Sequence, residues 1–195
     1  MIKPWRILGQ RTVYAAPPFV EVSVEKVALP DGRMIDDYHH IATGEFVSII
    51  AETPEHRIVT LRQYRHGVRR VGLALPGGKL DPGETPEIAA RRELLEEIGA
   101  IARSWRHMSS WPTSCTYGFS ISHYFHAVDI TRIRAPISDD LEEAEQVELT
   151  RPEIRAAMRG GAFVSLGHAA PLAFLLLEEA APDVPLSAQT ARSRD

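Results

Sequence analysis

The sequence has little of what marks a secreted, membrane-bound or disulfide-stabilised protein. Its 195 residues include a single cysteine, Cys115, which cannot form an internal disulfide and therefore favours a reducing compartment. The longest apolar run, residues 169–177, is far shorter than the roughly 20 residues needed to span a membrane. The first ten residues contain no long apolar stretch and no cleavage pattern. We therefore expect a cytoplasmic protein without a membrane partner.

Positive charge is not in excess either. Lys and Arg number 22 against 26 Asp and Glu, a formal net charge of −4. Nucleic-acid binding requires a basic surface, so we expect no nucleic-acid partner. With 44% hydrophobic residues and no internal repeat, the chain can bury the core of one compact domain with additions.

Hydrophobic periodicity predicts an α+β protein. Alternating or apolar segments predict strands at 20–29, 34–41, 46–51, 57–65, 71–75, 102–109, 120–128 and 146–149. Helices are predicted at 86–98, from a capping box at Thr150 to Gly160-Gly161, and at about 169–180. Residues 181–195 are polar and contain prolines, as is typical of a mobile tail.

The segment 78–100, GKLDPGETPEIAARRELLEEIGA, carries the strongest chemical signal. Pro82-Gly83 predicts a turn, Thr85 a helix N-cap, and Gly99 a left-handed helix end. At about 100° per residue, Glu93 and Glu97 stack on the polar face of the predicted helix.

Like charges at this spacing destabilise a helix by roughly 0.2–0.5 kcal/mol per pair, and a bound cation such as Mg²⁺ would reverse that cost. Glu96 lies beside the pair, and the donors of Arg92 could hold it. The alternative is a solvated helix with a chance acidic face. The upstream glycine and glutamate, Gly78 and Glu84, disfavour it.

These residues resemble the Nudix box, G-x5-E-x7-R-E-U-x-E-E-x-G-U, where U is bulky and apolar. The fixed positions are matched by Gly78, Glu84, Arg92, Glu93, Glu96, Glu97 and Gly99. Leu94 fills the first U, and Ala100, smaller than usual, the last. The resemblance implies a Nudix α/β/α sandwich of mixed sheets flanked by helices. It also implies a hydrolase that uses Mg²⁺, or Mn²⁺ as an alternative, bound by Glu93 and Glu97 with help from Glu96.

Segments outside the box resemble the ADP-ribose pyrophosphatase branch. Residues 1–45 resemble its extra N-terminal antiparallel sheet, which implies a homodimer with shared active sites, and residues 46–180 would form the Nudix domain. Trp5 resembles a tryptophan that lies near the nucleobase, and a dimer anchor is the alternative. Arg65 ends a strand resembling one whose last arginine contacts substrate phosphate. Gly77 stands where the branch offers a carbonyl to metal.

The acidic run 139–145 resembles a loop that supplies the catalytic base in this branch. Asp140 and Glu142 are the favoured bases there, Glu143 and Glu145 stay open, and Glu96 is a competing candidate. Arg92 is expected to support catalysis by holding the box together.

The motif Ser-Pro-Gly of that branch is replaced here by 114–116, Ser-Cys-Thr. The resemblance implies an ADP-ribose-like or other nucleoside diphosphate sugar as small-molecule substrate. A dinucleoside polyphosphate hydrolase and a non-catalytic nucleotide-sensing domain remain the alternatives.

Overall fold

The polypeptide folds around one mixed sheet that is covered by helices on both faces. A computed structural model describes residues 2–137 and 143–180. The strands of this part of the chain are β1 Arg6–Ala16, β2 Val20–Ala28, β3 Met34–Ala42, β4 Phe46–Glu52, β5 Ile58–Arg65, β6 Arg70–Ala74, β7 Ala100–Ser114, β8 Gly118–Arg132 and β9 Ala144–Leu149. The helices are α1 Pro86–Glu93, continued by a π-helical turn Leu94–Ile98, α2 Arg151–Arg159 and α3 Leu166–Ala180.

The first three strands form an antiparallel extension of the sheet. β1 pairs with β2 and β2 with β3, and β3 then meets β8 in a parallel ladder of two residue pairs, Ile41 with Gly118 and Ala42 with Phe119. β1 was not predicted. It is an edge strand that is exposed over almost its whole length. Because neither face is buried, its sequence lacks the regular alternation of apolar and polar residues by which strands are recognised.

The rest of the sheet is built on β8. It pairs in parallel with β4 and antiparallel with β7, and β5 pairs antiparallel with β4, β6 and β9. One core cluster packs α1 and the π-helical turn on the sheet, with Leu94 and Ile98 fully buried. The second packs α2 and α3 on the opposite face, with Ile154 and Leu172 fully buried. The predicted α/β/α sandwich with an N-terminal antiparallel addition is confirmed. Residues 181–195 lie outside the described part of the chain.

The predicted helix 86–98 is only partly right. Thr85 caps it by accepting a hydrogen bond from the backbone N–H of Ile88, and Pro86 opens it, as expected. Regular α-helix ends at Glu93, however, and a π-helical turn follows before Gly99 closes it at φ 74°. Leu94 and Ile98, the first and last residues of this turn, are both fully buried.

A buried ionic network joins the far end of β4 to α2, α3 and β8. The side chain of Glu52 is 5% exposed and accepts hydrogen bonds from Arg151, His126 and His56 at 2.7–2.8 Å. Arg151 also bonds to Glu179 on α3. Burial raises the pKa of Glu52, but the three hydrogen bonds outweigh it and lower the pKa to about 2. The carboxylate is therefore ionised in the fold and stabilises it.

We expect Glu52→Gln to lower the free energy of unfolding by about 3 kcal/mol at neutral pH, because Arg151 loses a buried anionic partner. The folded pKa of Glu52 lies below its ordinary value of 4.5. The stabilisation is therefore present above about pH 4.5 and is lost as the pH falls towards 2. Urea unfolding of both proteins at neutral and acidic pH measures this gap, which should shrink in acid. Glu55→Gln, an exposed neighbour, is the matched control. A gap that does not change with pH would contradict the assignment.

Candidate active site

Arg92 is the centre of a hydrogen-bond network among the acidic residues of the 78–100 segment. Its Nε and Nη2 donate to the two oxygens of Glu84, both at 2.9 Å. Its Nη1 donates to Glu93 at 2.8 Å and to Glu96 at 3.0 Å. Nη2 also bonds to the backbone carbonyl of Lys79 at 3.0 Å. One guanidinium thus joins the loop before α1 to three carboxylates.

The electrostatics of this network fix its charge states. The hydrogen bond with Glu84 is the largest influence on Arg92 and, with those to Glu93 and Glu96, raises the pKa of its guanidinium. The same contact lowers the pKa of the Glu84 carboxyl. Both groups are charged at neutral pH, and the like charges of the glutamates are partly compensated.

The loop before α1 lies directly against the acidic turn. The backbone N–H of Gly77 donates to the Glu97 carboxylate at 2.7 Å. Gly77 has φ 145°, and any side chain there would collide with the carbonyl of Val47 on β4. A side chain on Gly78 would collide with the Glu93 carboxylate. Glycine at both positions is what allows this approach.

Glu93, Glu96 and Glu97 contact two neighbouring groups. Glu93 and Glu96 accept hydrogen bonds from Arg92, the Glu93 carboxylate also lies against Gly78, and Glu97 accepts a hydrogen bond from the N–H of Gly77. The stacking of Glu93 and Glu97 on one face stays a prediction. Among the described residues, no group of three or more His, Cys, Asp or Glu side chains is arranged to hold a metal ion. The predicted metal ligands Glu93, Glu96, Glu97 and Gly77 stay a prediction.

A cleft of about 870 Å³ opens beside this loop. It brings together four of the sequence-predicted site residues, Arg65, Gly77, Gly78 and Glu97. Its other walls come from the start of β4, the residues after β5, the β7–β8 hairpin and the segment 164–168 that begins α3. The cleft is thus large enough for a nucleotide-sized ligand.

Other predicted residues lie elsewhere or outside the described ranges. Trp5 is half exposed, contacts Tyr38 edge-to-face at 6.0 Å, and does not line the cleft within one chain. Asp140 and Glu142 lie outside the described residues. Glu145, at the start of β9, is bonded to Arg62 at 2.9 Å.

Sequence reasoning missed three basic side chains of the cleft, His66, Lys79 and His168. Lys79 lies inside the box at a variable position, and its ammonium lies over the rings of Phe19 and Phe46. His168 lies at the start of an apolar segment that was assigned only to the core. Nothing in local sequence marks Lys79 or His168, because both reach the cleft through tertiary packing.

No helix in the described part of the chain is both long and apolar enough to cross a membrane.

Two family models match the sequence. Residues 5–41 match the nucleoside diphosphate sugar hydrolase N-terminal domain, and residues 43–166 match the NUDIX domain.

Similar proteins include an ADP-ribose pyrophosphatase of Bacillus subtilis, 30% identical over 140 residues that cover 72% of this chain and 74% of the relative. A CMP-5′-(N-acetyl-N-hydroxy-3-aminopropyl)phosphonate hydrolase of Streptomyces rubellomurinus is 28% identical over 172 residues, which cover 88% of this chain and 82% of the relative. A crystal structure of an ADP compounds hydrolase has the same fold, with a TM-score of 0.79 and 24% identity, covering 92% of this chain and 95% of that one. These matches, together with the acidic network around Arg92, show that the chain belongs to the Nudix family and is a hydrolase of pyrophosphate bonds.

Proposed function

We propose that this protein hydrolyses the diphosphate bond of an ADP-ribose-like or other nucleoside diphosphate sugar, in the presence of Mg²⁺. The observation that carries the proposal is the shared cleft, where Arg65 lies in the same cavity as Glu97 and the Gly77 loop. The N-terminal family match and the Bacillus subtilis relative support the substrate class.

The donor chemistry fits a hard divalent cation. Glu93, Glu96 and Glu97 offer carboxylate oxygens and Gly77 a backbone carbonyl, the ligand types that Mg²⁺ prefers and Mn²⁺ accepts. A bound ion would neutralise charge on the phosphoryl oxygens. Arg92 holds the side chains of Glu93 and Glu96 in place, since it donates a hydrogen bond to each.

The remaining roles follow from charge and placement. Arg65 is proposed to bind the diphosphate, since a guanidinium forms short charge-assisted hydrogen bonds to phosphate oxygens. A carboxylate must accept a proton from the attacking water. Asp140 and Glu142 are the proposed bases, with Glu96 as the competing candidate. The intact acidic set disfavours a purely sensing domain, which has no need of clustered like charges.

We further propose that the protein is a homodimer assembled through its N-terminal strands. β1 exposes apolar side chains, among them Ile7, Leu8, Val13 and Tyr14, along an unpaired sheet edge. Such edges are normally covered, because they otherwise invite aggregation. A second copy that covers β1 would also bury Trp5, near the nucleobase or as an anchor.

The single cysteine supports a reducing location, and the cytoplasm stays the predicted one.

Replacing Glu97 by Gln should lower kcat on the best substrate by several orders of magnitude, because a metal ligand would be lost. Release of AMP, GMP or phosphate from a panel of nucleotide sugars and dinucleoside polyphosphates, with and without Mg²⁺, measures it. Glu87→Gln on the exposed face of α1 is the matched control and should behave as wild type. Near wild-type turnover by the Glu97 variant would overturn the assignment. If the enzyme preferred dinucleoside polyphosphates in this panel, they would replace nucleoside diphosphate sugars as the substrate class.

Lysine cannot reproduce the four-way contact of Arg92, since it lacks the planar fork of donors. We therefore expect Arg92→Lys to lower kcat about 10–100-fold, as is usual for groups that orient metal ligands. Arg91→Lys, which alters an exposed pair with Glu87, should have little effect. Steady-state kinetics of both variants provide the comparison. Equal activities would show that the network does not position the acidic residues.

Charge on the exposed edge should separate the dimer. We expect the double variant Ile7→Asp, Tyr14→Asp to sediment as a 21.7 kDa monomer, whereas wild type sediments as a dimer. Both side chains are exposed in one chain, so the monomer fold should be unaffected. Ile133→Asp, an exposed position outside the N-terminal strands, is the control. A monomeric wild type would contradict the dimer.

A further inference from the structure

His168 is one of the cleft residues whose chemistry is not used by the mechanism above. It lies at the start of α3, where the segment 164–168 forms one wall of the cleft. Its backbone N–H donates to the carbonyl of Ser165 at 3.2 Å, and the N–H of Gly167 donates to the hydroxyl of Ser165 at 3.1 Å. The main chain that carries the imidazole is therefore fixed in position.

The imidazole itself is not held by the protein. Its Nδ1 atom is buried and has no hydrogen-bond partner among residues 2–137 and 143–180. An unpaired buried polar atom is uncommon in folded proteins and is costly. Because Nδ1 is buried, Nε2 is the ring nitrogen that remains available to a ligand.

The charge state of the ring follows from its surroundings. Burial is the main influence and, with the nearby positive charge of Arg65, lowers the pKa of His168 to about 4. The ring is therefore neutral at neutral pH and carries one N–H donor. A second cation beside Arg65 would be repelled by it, whereas a neutral donor adds a hydrogen bond to an anion without that cost.

We propose that His168 contacts the substrate directly, with its Nε2–H donating to an oxygen of the diphosphate group beside Arg65. This assignment rests on the proposed function, because it takes the diphosphate to occupy this cleft. Arg65 and His168 both line this one cleft, so a single diphosphate can meet both. His168 thus supplies a neutral donor next to the charged one.

Binding of two non-hydrolysable probes, α,β-methylene-ADP and α,β-methylene-ADP-ribose, tests the contact by calorimetry in the presence of Mg²⁺. We expect His168→Ala to weaken both by at least about tenfold, the usual effect of losing a hydrogen bond to a charged group. His168→Gln keeps an N–H donor and should stay within about threefold of wild type. His107→Ala, on β7 and outside the cleft, is the matched control. In NMR spectra, the ring nitrogens of His168 should shift when α,β-methylene-ADP is added.

Three results would overturn the proposal. Unchanged affinity in His168→Ala would show that there is no contact. Weakening confined to the ADP-ribose probe would move the contact to the terminal sugar. A His168→Gln variant as weak as His168→Ala, with no NMR shift in wild type, would leave only a packing role. Turnover of nucleotide sugars by the wild type tests the proposed function separately, since the methylene-ADP probe requires only that a diphosphate enters the cleft.

Discussion

The acidic site depends on one guanidinium that serves three carboxylates. Glu84, Glu93 and Glu96 repel one another, and without a cation between them the loop and the helix would be pushed apart. Arg92 has a planar fork of donors that can satisfy all three and still reach the Lys79 carbonyl. The three carboxylates are therefore held in fixed positions, and the proposed metal site would use two of them, Glu93 and Glu96.

Strand β4 connects this network to the rest of the protein. At its first residues, the N–H of Val47 donates to the Gly78 carbonyl and that of Ile49 to the Pro76 carbonyl, so the loop is hydrogen-bonded to the sheet. At its last residue, Glu52 is held by Arg151 from α2. Each end of the strand thus contacts an arginine–carboxylate network, through Glu52 itself at one end and through the backbone of the loop at the other. The strand between them is almost fully buried, which makes it a rigid support.

The parts of the site that sequence predicted are those defined by local spacing. Thr85 as cap, Gly99 as helix end and the pairing of Arg92 with Glu96 follow from short-range geometry. The π-helical turn could not be predicted, because Leu94 to Ile98 are all compatible with an ordinary α-helix. β1 was missed since it is exposed to solvent in the part of the chain that the structure describes. His168 was missed because its place in the cleft depends on how α3 packs on the sheet. The hydrophobic periodicity of a single helix does not predict that packing.

The two residue pairs that join β3 to β8 have a consequence for how such proteins diversify. The boundary between the two family matches, at residues 41–43, falls on this narrow junction. Few backbone hydrogen bonds would have to be rebuilt if the three N-terminal strands were replaced by those of a relative. The N-terminal strands could then be exchanged without rebuilding the sheet that carries the cleft.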